Sequence, residues 1–70
     1  MMFNQVYAKV EESSHETAFN REECKELFNI LNRLPKGAKI VEIGVEFGRS
    51  TTVIAEVSKH KGFHFTANGS

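Results

Sequence analysis

One cysteine, one proline and no apolar run of membrane-spanning length are the first features of this 70-residue chain. A lone Cys24 excludes an internal disulfide and fits a reducing compartment. The absence of a long apolar run argues against a membrane span, and no basic region followed by an apolar block opens the chain, so no secretory signal is read there. A cytoplasmic location is the expectation. Charge of one sign is missing too: nine basic residues balance nine acidic ones, so no global field recruits nucleic acid or a membrane surface. The halves differ only slightly, with four bases and six acids in residues 1–35 and five bases and three acids in residues 36–70. What remains is ordinary for a folded protein, 40% hydrophobic and 26% charged, but a chain this short buries only about 60% of its unfolded surface. One small domain with a thin core is expected.

The chain is organised around Ile40-Val41-Glu42-Ile43-Gly44-Val45-Glu46-Phe47-Gly48-Arg49-Ser50. A β-branched run leads through an acid and two glycines directly into a helical pattern. Glycine serves where the backbone turns sharply or a ligand approaches with no Cβ in the way. The helix beyond directs free amides and a partial positive charge into the same space. This pattern predicts a backbone-lined site for a small molecule at a strand-to-helix turn.

Around it, Phe3, Val6, Tyr7 and Val10 favour a short helix in residues 1–12, although Val6, Ala8 and Val10 also alternate as in a strand, and a polar connector follows over residues 11–17. Asn20 and Glu23 form a capping box, Phe19 and Cys24 fit a hydrophobic staple, and Cys24, Leu27, Phe28, Leu31 and Leu34 make one apolar stripe. A helix over residues 21–33 follows, ended by Leu34-Pro35-Lys36-Gly37. Residues 39–43 predict a strand, and the near-continuous Ile40-Val41-x-Ile43 run predicts burial on both faces. A helix over residues 48–60 would bury Val53, Ile54 and Val57, carry Lys59, His60 and Lys61 at its negative end, and exit through Gly62. Residues 63–67 alternate as a second strand, parallel to the first.

Residues 41–62, VEIGVEFGRSTTVIAEVSKHKG, resemble the first cofactor-binding motif of the class I S-adenosylmethionine-dependent methyltransferases, in the branch of the macrocin O-methyltransferases and cephalosporin-hydroxylase-like proteins. The resemblance implies an α-β-α-β opening fragment of a Rossmann-like methyltransferase fold with two parallel strands, residues 1–19 being an N-terminal extension. It implies S-adenosylmethionine as cofactor and a small-molecule substrate. Carried over by position, Glu42 lies towards the methionine amino group of the cofactor, and Gly44 and Gly48 give close backbone approach. Ser50 is a candidate carboxylate contact, and Asn68 a candidate ribose contact where the family has an acid. The general motif has a third glycine where this chain has Glu46, as is common in that branch. No catalytic residue is assigned, and this stretch alone is expected to be inactive. The resemblance also puts both flanking helices on one side of the sheet, leaving Ile40-Val41-Ile43 and Phe63-Phe65 with one bare face and inviting self-association. A different reading of the same turn is a small non-enzymatic α/β interaction module in which the glycines are only architecture.

Other patterns weigh less. Arg49-Ser50 lacks the spacing and the lysine of a phosphate-binding loop, and Ser50, Thr51 and Thr52 read more simply as first-turn hydroxyls that satisfy free amides. His60 and His64 are interrupted by Gly62 and do not form a metal pair on one helix. Cys24 lies on the apolar stripe, where it reads as a small hydrophobe and not as a nucleophile.

Overall fold

A computed structural model describes residues 1–13, 19–45 and 48–69. His15, Glu46, Phe47 and Ser70 lie outside the described residues. The elements run α1 (Phe3–Ser13), α2 (Arg21–Asn32), β1 (Lys39–Val45), α3 (Arg49–Lys61) and β2 (His64–Gly69). The fold is mixed α/β, with a two-stranded parallel sheet among the described residues.

Local chemistry sets the element ends. Asn20 accepts from the Glu23 amide at 2.9 Å while the Glu23 carboxylate accepts from the Asn20 amide at 3.0 Å, completing the capping box that starts α2. At the far end of α3, Gly62 takes the left-handed conformation (φ 72°) and donates its amide to the Ser58 carbonyl at 2.8 Å. A side chain there would meet the backbone cost that glycine escapes. Lys61 acts on a different helix from the one it ends. Its Nζ donates to the carbonyls of Asn32 and Leu34 at 2.8 and 2.7 Å, closing the C-terminus of α2. Cations at that position also offset the negative end of the helix dipole.

The core forms where α3 packs between α1 and α2. Val6 and Val10 of α1, Cys24, Phe28 and Leu31 of α2, Val53, Ile54 and Val57 of α3, and Phe63 are buried together. α1 therefore contributes Val6 and Val10 to the core, and it continues to Ser13, three residues into the stretch expected to be a connector. Phe19 packs against this cluster, as a staple residue would. The Ser58 hydroxyl is the exception: it is buried without a hydrogen-bond partner.

The sheet differs from expectation in one respect. Residues Ile40, Phe65 and Ala67 face the helices and are at least half-buried, but Val41 is 59% exposed and Ile43 81% exposed. The expected burial of β1 on both faces is thus incorrect for the described residues, because the helices contacting this sheet lie on its Ile40 side. Phe63 and Phe65 are not on the bare face either: Phe63 precedes β2 and is buried, and Phe65 packs inward. The open face combines Val41 and Ile43 with Lys39, His64, Thr66 and Asn68.

Candidate functional site at the strand-to-helix turn

β1 runs in register with β2 from Lys39 opposite His64 to Ile43 opposite Asn68, and then shifts so that Val45 faces Gly69. The extra residue in β1 is Gly44. A bulge re-aims the strand at the point where it leaves the sheet, and glycine makes such a step inexpensive. Gly48 caps α3 with φ −104°, outside the left-handed region, and supplies no side-chain cap. The first amides of α3 therefore have no side-chain acceptor from their own N-cap residue. Gly48 instead contributes its carbonyl, which accepts from the Thr52 amide at 3.2 Å.

Glu42 is the centre of the turn. Pointing inward from β1, its carboxylate accepts from the Ser50 hydroxyl at 3.0 Å and from the Thr51 hydroxyl at 2.8 Å, one on each oxygen. The negative group is thereby held beside the N-terminus of α3, where the helix dipole favours it. The structure brings Glu42 and Ser50 together, eight residues apart in the chain. The hydroxyl protons of Ser50 and Thr51 are both directed at Glu42 and not kept within their own helix turn. Asn68 is not gathered into this group. It is exposed, pairs with Ile43 and lies on the open face of the sheet, away from Glu42.

A cleft of about 380 Å³ opens beside Glu42 on the α2 side. Phe19, Leu27, Ile30 and Ile54 give it apolar walls, and Glu23, Glu42 and Ser50 give it polar ones. The chain matches no family model, no curated protein and no solved structure.

Local sequence reasoning missed Arg49. It is 5% exposed, and its guanidinium donates to the Phe19 carbonyl at 2.7 Å, to Tyr7 Oη at 2.8 Å and to Glu11 Oε2 at 3.2 Å. Burial opposes the charge, but the Tyr7 hydroxyl and the Glu11 carboxylate outweigh it and hold the guanidinium pKa above its ordinary value. The same residue sits close to Cys24, where burial pushes the thiol pKa up despite the opposing pull of Arg49. A protonated, fully buried thiol fits a packing role and not a nucleophile. His60 and His64 occupy the last turn of α3 and the start of β2, and no cluster of three or more metal-ligating side chains exists among the described residues. No helix among the described residues is long and apolar enough to cross a membrane.

Proposed function

We propose that this chain carries the cofactor-binding turn of an S-adenosylmethionine-dependent methyltransferase acting on a small molecule, within a Rossmann-like fold. The observation that carries the reading is the Glu42 carboxylate, fixed by two hydroxyls at the junction of β1 and α3. A carboxylate offers about four acceptor sites, so two hydroxyl bonds leave capacity for an ammonium group. The adjoining cleft has the size of a small-ligand site, with apolar walls and anionic groups suited to a ligand that is both organic and cationic. S-adenosylmethionine supplies an activated methyl group when bound. Glu42 would hold its amino group, Ser50 and Thr51 would orient Glu42, and the backbone at Gly44 and Gly48 would line the approach.

A second reading is favoured by the same hydroxyl bonds: Glu42, Ser50 and Thr51 form a latch between strand and helix that serves only the fold of an interaction module. Titration of S-adenosylhomocysteine into the chain, followed by amide-resolved NMR, separates the two. Under the cofactor reading, millimolar ligand shifts the amides of Gly44, Gly48, Ser50 and Thr51, and Glu42→Gln or Gly44→Val abolishes the response. An unchanged spectrum at that concentration rejects it in favour of the latch. A micromolar dissociation constant lost in Gly44→Val would replace it with a self-sufficient cofactor module.

A further inference from the structure

Zero net charge conceals a strong separation of charge along this molecule. The α2–β1 and α3–β2 connections meet at the end remote from the glycine turn, where Lys39 pairs with His64 and the His64 amide donates to the Ala38 carbonyl at 2.8 Å. Residues 27–41 and 57–70 hold Arg33, Lys36, Lys39, Lys59 and Lys61 with His60 and His64, and neither stretch contains an aspartate or glutamate. The small difference between the sequence halves hides this, because the first segment straddles the boundary between the halves and the acids of residues 36–70, Glu42, Glu46 and Glu56, all fall outside both segments.

A cleft of about 500 Å³ opens at this end, lined by Asn32, Lys36, Lys59, His60, Lys61 and Gly62. Its cations have different duties. Lys61 is committed to the carbonyls of Asn32 and Leu34, which removes part of the negative potential that the end of α2 would present to an anion. Lys36 is exposed and lies over Gly62, its Cγ and Cε 3.8 and 3.9 Å from where a Cβ would stand. Lys59 is 74% exposed and pairs with Glu56, 19% exposed, one turn away at 2.9 Å, which leaves its ammonium group two further N–H donors. His60 is exposed beside them. Besides Asn32 and the committed Lys61, the side chains of Lys36, Lys59 and His60 thus border one concavity whose lining includes no acid.

We propose that this cleft binds a compact polyanion with two or more phosphate groups, such as the di- or triphosphate moiety of a small molecule. Flexible ammonium groups act as point charges that can converge on several phosphate oxygens. A concave space of this size suits a small ligand. His60 carries the one aromatic ring of the lining, where single-stranded nucleic acid stacks successive bases on several, which argues against such a strand as the occupant. The site lies at the opposite end of β1 from Glu42, so it stands or falls separately from the cofactor reading.

Sodium tripolyphosphate titrated into the 70-residue chain at low ionic strength, followed by amide-resolved NMR, tests the assignment. Shifts should be confined to residues 32–39 and 59–64, and the double change Lys36→Gln with His60→Gln should weaken binding by about tenfold or more. Lys9→Gln with Lys25→Gln, on exposed positions of α1 and α2, should leave affinity within about twofold. Lys36→Arg should retain binding, and circular dichroism should report the same fold for every variant. Shifts spread over all cations, or equal weakening by both double variants, would overturn the site. Tighter binding of a single-stranded oligonucleotide of roughly ten nucleotides, with shifts extending past the cleft, would reassign the surface to nucleic acid.

Discussion

Arg49 occupies a position that elementary electrostatics disfavours. A cation in the first turn of a helix faces the positive end of the dipole, and this one is also buried. Its planar fork makes the position tenable by joining α1, the residue before the α2 cap and α3 through Tyr7, Glu11 and Phe19. Lysine has no such fork and cannot span the same three acceptors. Replacing Arg49 with Met should cost about 1–3 kcal/mol in urea unfolding, because the partly buried Phe19 carbonyl and Tyr7 hydroxyl lose their donor. Arg49→Lys should recover only a fraction of that loss. A lysine variant as stable as the native chain would show that charge alone matters. None of this was legible locally: Phe19 and Tyr7 lie 30 and 42 residues away in sequence. Glu42 was easier to find, since its partners follow in the next helix turn and the acid-glycine pattern draws attention to it. Even so, the Ser50 and Thr51 hydroxyls were read as serving the free amides of their own helix, and their bonds to Glu42, eight and nine residues back, were not foreseen.

At the scale of elements, legibility followed the range of the interactions. The start of α2 is written in Asn20 to Glu23, four consecutive residues whose reciprocal bonds form as expected. Asn20→Ala should therefore cost about 1 kcal/mol, read as a lower urea midpoint with an unchanged slope. No loss of stability would mean that the box is replaced by water at no cost. The end of α3 was legible for the same reason, through Gly62. The second face of β1 was not. An apolar run of β-branched residues identifies a strand, but it carries no information on whether another element covers each side. The role of Lys61 was only half legible, because dipole reasoning places a cation at its own helix end and cannot tell that a neighbouring helix end takes the ammonium group.

For the molecule as a whole, the open sheet is the main liability. Among the described residues the sheet has only two strands, an arrangement marginal in water, and Val41 and Ile43 make its exposed face apolar at the centre. Unpaired edges are templates for another chain. Sedimentation velocity should show self-association that rises with concentration, and Val41→Thr combined with Ile43→Thr should suppress it. Because both side chains are exposed, this pair of changes should alter stability by no more than about 0.5 kcal/mol each. Association unaffected by the double variant would place the contact elsewhere.

The parallel pairing of β1 with β2 also dictates an order of events in time. Each residue from Lys39 to Ile43 meets its partner about 25 positions further along the chain, across the whole of α3. Such a ladder cannot start from a tight hairpin, and the entropy of closing that loop is spent before the first inter-strand bond forms. The capped α2, by contrast, is built from near neighbours. During refolding, pulse-labelled amides of Cys24 to Leu31 should gain protection before those of Ile40 to Ile43, and simultaneous protection would refute a helix-first route. Val41 and Ile43 would then be locked late into a ladder that opens early, so the apolar stretch of β1 spends the longest time unpaired on both the way in and the way out.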